Sequence, residues 1–342
     1  MSAITIGNIS AGPGTKRAGF LEIAKNADGT GMNLPIIVLN GTKKGPLLLV
    51  DGAIHGDEQE GSLGIIELTK RLDPARLMGT LIAVPAVNTV GFHLRMRGNP
   101  FDLMYVDMNR IFPGQRDSFS ISDRVVYEYW NQIILKSDYI ISIHGGGGVE
   151  NSMVPRVIIQ EDIGPKHMLI EDSLNMGKAM AMTDEWVLTG KSEHTRRQER
   201  TMQLECANAG KPAILIEVGG GIRSQNVLDH VVELMVNGTQ NVMKWAGMLD
   251  EKAKYPERWR RIEEYSMVRA RNGGILHYDN KYDLNAIVDK GTVLATIDNL
   301  IGEQVDTITM PYDGIVIARA NTISRKPNDL VAMVGTKPFW MN

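Results

Sequence analysis

Leu47-Leu48-Leu49-Val50-Asp51-Gly52-Ala53-Ile54-His55-Gly56-Asp57-Glu58 runs from an apolar stretch through a glycine turn into a histidine and two carboxylates. An apolar run bounded by turn residues reads as a strand buried on both faces of a sheet. A second run, Tyr139-Ile140-Ile141-Ser142-Ile143, ends the same way, on His144 and the glycines Gly145 to Gly148. Open α/β sheets bind ligands beyond the carboxyl ends of their strands, and His55, Glu58 and His144 all fall there. Taken alone, His-x-x-Glu arises often by chance, as a capping Glu beside a solvated His. An apolar strand before each histidine and a glycine after it favour a metal site. Two imidazoles and one carboxylate suit Zn2+, one per chain, without excluding cobalt or manganese. Zinc leaves a fourth position for a water of pKa about 7, so hydrolysis of an amide is the leading expectation.

Outward from these runs, the spacing predicts helices over 62–72, 123–134, 164–182, 195–209 and 225–247 and buried strands over 46–51, 80–87, 139–143 and 212–218. Residues 1–45 read as short β-prone runs between turns. Alternation of this kind implies an α/β sheet flanked by helices on both faces. The polar segment from Asn88 to Gln115 is too long for an ordinary connector, which marks it as functional. Near residue 250 the pattern changes. Asp250 to Arg261 is charged, holds Pro256 and suits a linker or short helix. Only short strands and turns follow, over 267–270, 274–277, 286–288, 292–297, 305–309, 314–318 and 330–334. The division expected is a catalytic domain over 1–255 and a smaller all-β domain over 256–342.

Glu217 closes the run Ile214-Leu215-Ile216 before Val218 and three glycines. A carboxylate on such a strand is costly to bury unless it is paired or at work. Satisfaction by loop amides is one reading; a general base beside the metal is the other, and the one adopted. Arg95, Arg97, Asn99, Asp107, Asn109 and Arg110 crowd one segment. Guanidinium forks suit a carboxylate or an oxyanion, and arginines also gather on solvated loops.

Four motifs then stand in a fixed order: His55-Gly56-Asp57-Glu58; Arg97-x-x-Pro100-x-Asp102 running into Asp107-Met108-Asn109-Arg110-Ile111-Phe112-Pro113-Gly114; Ser142-Ile143-His144; and Glu217-Val218-Gly219-Gly220. In that order the chain resembles the succinylglutamate desuccinylase/aspartoacylase family, related to the zinc carboxypeptidases, over roughly residues 35–340. The resemblance implies a zinc-carboxypeptidase-like mixed sheet and one zinc on His55, Glu58 and His144, with Glu217 acting on the water. It also implies Arg97 polarising the scissile carbonyl and Asn109-Arg110 holding the substrate's α-carboxylate. The activity implied is removal of an acyl group from the nitrogen of a small amino acid, by a homo-oligomer. A carboxypeptidase acting on short peptides, or on another small amide, is the alternative. Met108 departs from the family's usual Leu, and Asn88-Thr89 from its Asn-Pro. No second arginine aligns for an acyl carboxylate, so a dicarboxylic acyl group is not implied.

Arg196, Arg197, Arg200 and Arg223 are further candidates for an anionic substrate, though the first three also fit a solvated helix face. His93, His167, His230 and His277 lack ligand-like partners, and Cys206 lies in a helical pattern as a core residue. Residues 273–335 resemble a lipoyl/biotinyl-type barrel, with Met310-Pro311-Tyr312-Asp313-Gly314-Ile315-Val316 matching a half-repeat. Lys281 and Lys290 lack a carrier lysine's flanks, so docking or narrowing the cleft suits this domain better.

The 37 basic and 40 acidic residues give a net charge of -3, which argues against a nucleic-acid binder. The substrate expected is a small molecule with a free carboxylate. One cysteine in 342 residues, no signal-like N-terminus and no bilayer-length apolar run predict a cytoplasmic chain without a membrane partner.

Overall fold

The computed structural model describes residues 2–26, 28–103, 105–146, 151–159, 169–189, 200–220 and 224–342. The predicted buried runs pair side by side in a mixed sheet of ten strands. From one edge its order is Phe339–Met341, Trp259–Ile262, Val187–Thr189, Arg156–Ile159, Ala213–Glu217, Tyr139–His144, Lys43–Gly52, Met78–Val84, Gly31–Asn40 and Thr15–Lys25. The four strands from Ala213–Glu217 to Met78–Val84 are parallel. The flanking hairpin of Gly31–Asn40 and Thr15–Lys25 is antiparallel.

Both faces are covered, which is why the central strands carry continuous apolar sequence. Leu48 and Val50 belong to the core on the side of the helices Glu60–Arg71, Leu169–Met180 and Gln225–Trp245, which contribute Leu68, Met176 and Met235 to it. Leu49 points the other way, into a core with Val126, Tyr129 and Cys206 from Ile121–Gln132 and Met202–Asn208. Each fully buried aliphatic side chain of this kind stabilises the fold by roughly 1.5–3 kcal/mol. Short hydroxyl side chains start three of the helices: Ser120, Thr201 and Ser224 each accept from a backbone N–H three residues on.

From Tyr265 the chain builds two small antiparallel sheets. One runs Tyr265–Arg269, Leu330–Thr336, Gly314–Ala320, Ile287–Val288, and Asn151–Met153 joins it against Gly314–Ala320. The other runs Gln304–Thr309, Val293–Asp298, Gly274–Tyr278, Ser324–Arg325. The predicted strands of this region are all present, within a few residues at each end.

Two readings need correction, and one strand of the sheet centre was missed. The supposed linker or short helix at 250–261 ends in a strand, Trp259–Ile262, which pairs parallel with Val187–Thr189. Its Trp-Arg-Arg-Ile sequence hides the strand because Arg260 and Arg261 are only half buried, on a strand one from the sheet edge. The polar segment after Asn88 contains a helical turn, Thr89–Leu94, started by the Asn88 side chain. The strand at Arg156–Ile159 was not foreseen at all, because a charged residue opens its four positions. The predicted helix over 195–209 is seen as Met202–Asn208, and its first residues lie outside those described. Among the described residues no helix is long and apolar enough to cross a membrane.

A carboxylate sits inside the sheet among its buried polar groups. Asp51 is wholly buried, and its carboxylate accepts from Tyr129 Oη at 2.6 Å and Ser142 Oγ at 2.7 Å. Burial lifts its pKa to about 6, against the two hydroxyl donors. An unfolded Asp titrates near 3.9. With the folded value the higher, this group's stabilisation is greatest below about pH 4, is lost as pH rises to about 6, and stays level above. Tyr129→Phe removes a donor to the ionised form, so we expect a loss of about 1–3 kcal/mol that is larger at pH 8 than at pH 5. Urea unfolding at the two pH values checks this, and equal losses would contradict it.

Candidate metal centre and active site

His55, Glu58 and His144 are brought together although 86 residues separate Glu58 from His144. Lys43–Gly52 and Tyr139–His144 are neighbouring parallel strands, with Gly52 opposite Ile143, so both chains leave the sheet at one level. Past Gly52, Ala53 takes the left-handed region (φ 47°) and turns the chain toward His55. Glu58 lies just ahead of the helix Glu60–Arg71.

Gly56 is required by close approach. A Cβ there would run into the backbone of Gly91 and Phe92. The same contact lets Gly56 N–H donate to Arg97 O at 3.2 Å, tying the His55 turn to the segment that carries Arg97.

The donor atoms form a compact triangle: His55 Nδ1 to Glu58 Oε1 is 2.8 Å, His144 Nδ1 to Glu58 Oε2 2.9 Å, and the two Nδ1 atoms stand 3.2 Å apart. All three residues are buried. A tetrahedral ion with bonds of ~2.0–2.1 Å would space its ligands by about 3.3 Å, close to this triangle. His55 Nε2 meets Asp107 Oδ1 at 3.0 Å, which leaves Nδ1 free to turn its lone pair inward. Three electron-pair donors converging in a buried space fit a cation, and the donor set fits zinc.

Charge is dense around the triangle. Burial opposes the Glu58 carboxylate, but His55 and His144 outweigh it and hold its pKa well below the usual range. Asp107 is pulled down likewise, burial being outweighed by His55 and Arg97. Arg97 donates to Asp107 Oδ2 from Nε at 3.1 Å and Nη2 at 2.9 Å, and to Glu58 Oε1 from Nη1 at 3.3 Å. Sequence reasoning passed over Asp107 as a partner of His55, since 52 residues separate them.

Glu217 stands directly opposite His144 in the parallel pair. Burial raises its pKa, against the neighbouring Arg156 guanidinium. Its Oε2 is buried and has no hydrogen-bond partner among the described residues. Asn109 is buried; its Oδ1 accepts from Met202 N at 2.9 Å. Arg110 donates to Asn109 O at 2.8 Å, and burial lowers its pKa. Arg200 spends its fork on Phe112 O and Ile111 O at 3.2 and 2.8 Å. Arg196, Arg197, Arg223 and His167 lie outside the described residues. His93, His230 and His277 stand outside the triangle, the last two paired with Glu185 and Asp298. Cys206 is buried as expected.

A mixed sheet with this donor set at its strand ends is the frame of a deacylase-type amidohydrolase. The sequence model of the succinylglutamate desuccinylase/aspartoacylase catalytic domain matches residues 44–245. The chain belongs to that family. The N-alpha-acetyl-L-2,4-diaminobutyric acid deacetylase of Halomonas elongata is 24% identical over 326 residues, covering 92% of this chain and 90% of that one. The product-bound structure of the ectoine utilization protein EutE (DoeB) from Ruegeria pomeroyi is similar in fold, with TM-score 0.84 and 24% identity over 98% of both chains. A succinylglutamate desuccinylase/aspartoacylase structure from Rhodobacter sphaeroides gives TM-score 0.79 at 22% identity, covering 94% and 95%.

Gly56→Ala should destabilise the protein by about 1–3 kcal/mol, the usual cost of overpacking a tight contact. Thermal melts would show it, and a wild-type melting temperature would refute the close-approach account.

Proposed function

We propose that this protein is a zinc-dependent deacylase that cleaves the amide bond of a small N-acylated amino acid. One observation carries the reading: three buried donors converge beside a carboxylate, Glu217, whose Oε2 has no hydrogen-bond partner among the described residues. His55, Glu58 and His144 would hold the ion. When bound, zinc supplies Lewis acidity to the acyl carbonyl and makes water nucleophilic near neutral pH.

The chain's own residues do the rest. Glu217 takes the proton of the attacking water at its free Oε2 and returns it to the leaving nitrogen, a role suited to a carboxylate whose pKa burial has raised. Arg97, beside the cluster and partly exposed, polarises the carbonyl and steadies the developing oxyanion. Asn109 and Arg110 hold the substrate's free carboxylate. Asp107 orients His55, so its effect is felt through metal affinity. The region 256–342 narrows the cleft over the catalytic residues 1–255, which favours small substrates over long peptides. The Halomonas relative's name supports an N-acetyl amino acid as the first substrate to try. A homo-oligomer working in the cytoplasm completes the proposal.

Amine release from N-acetyl, N-succinyl and N-formyl amino acids tests the class. Wild-type protein should release amine, and Glu217→Gln should keep its zinc while losing at least about 10²-fold in rate. Near-normal turnover in that variant would remove Glu217 as the base. Faster cleavage of a tetrapeptide with the same C-terminal residue would overturn the deacylase reading in favour of a carboxypeptidase. Asp107→Asn should weaken zinc binding about 10–100-fold in chelator competition, and unchanged affinity would detach Asp107 from the metal.

A further inference from the structure

Arg156 is buried to within 3% of complete, a rare condition for an arginine. It opens the strand Arg156–Ile159, which runs antiparallel to Ala213–Glu217 and places Arg156 directly opposite Glu217. Its Nη2 lies 3.5 Å from Glu217 Oε1. The guanidinium carbon lies over the Tyr265 ring, 4.9 Å from its centroid, so a residue of the C-terminal region packs against the cation. Nη1 is buried and unpartnered among the described residues, as is Glu217 Oε2. Unlike Arg97, whose side chain is 41% exposed, Arg156 offers no surface to an incoming ligand.

We infer that Arg156 is a positioning residue: its buried, ring-clamped guanidinium holds one oxygen of Glu217 so that the other faces the reacting atoms. The inference rests on Glu217 being the general base. An ion pair across one register step allows the carboxylate little rotation, and a base must stay within hydrogen-bond reach of the proton it takes. Placement errors near 1 Å are enough to cost orders of magnitude in rate. The clamp also gives the C-terminal region a part in the chemistry without contact with substrate.

The test is a double-mutant cycle on the zinc-loaded protein, using the N-acyl amino acid that it cleaves fastest. Arg156→Met should lower kcat about 10–100-fold with KM within about 2-fold. In the Glu217→Gln background the same change should cost less than about 3-fold, because nothing remains to be positioned. A crystal structure of Arg156→Met should show the Glu217 carboxylate rotated from its present place. An equal kcat loss in both backgrounds, or a raised KM at unchanged kcat, would overturn the inference. If Arg156→Met does not fold, Arg156→Lys carries the test: it keeps the charge without the planar fork. A kcat loss of about 10-fold at wild-type KM and melting temperature supports positioning, and wild-type kcat overturns it. Normal turnover of Glu217→Gln alone would sink the base and this inference together. An inactive Glu217→Gln beside fully active Arg156 variants would sink only the inference.

Discussion

The pairing of Tyr139–His144 between two parallel neighbours is the constraint on which the site depends. Gly52 faces Ile143 on one side and Glu217 faces His144 on the other. A shift by one residue in either register would turn the side chains to the opposite face of the sheet. The Asp51 carboxylate crosses this pairing, accepting from Ser142 on the adjacent strand and Tyr129 on the helix beneath. A buried charge with two donors in fixed places penalises slippage, since a slipped strand would leave it unsatisfied.

Above the sheet, opposite charges hold one another. Glu58 and Asp107 would be unfavourable where they lie without His55, His144 and Arg97 around them. Arg97 bridges both carboxylates, so the loop that carries it is held by the same groups that surround the triangle of His55, Glu58 and His144. Loop and cluster therefore order together, a coupling that backbone bonding from Gly56 to Arg97 reinforces.

Much of this was legible beforehand because it was written in local pattern. Strands buried on both faces announce themselves as unbroken apolar runs, and His55, Glu58, His144 and Glu217 stand where such runs meet glycine. What stayed hidden is pairwise and long-range. Asp107 reads as one of several polar loop residues until the fold sets it against His55, and Arg156 carries no local signal at all until the fold sets it against Glu217. Trp259–Ile262 escaped notice for a related reason. A four-residue strand with two half-buried arginines shows no alternation that composition can reveal.

The same short strand changes how the two halves of the chain can be separated. Trp259–Ile262 and Phe339–Met341 bracket the small β sheets, yet both extend the large one beyond Val187–Thr189. Cutting the chain near residue 255 would strip away both, leaving Val187–Thr189 as a bare apolar edge of the kind that recruits foreign strands. Any exchange of the C-terminal region of this chain would have to carry those two strands along, so the unit that can be moved is larger than the two small β sheets.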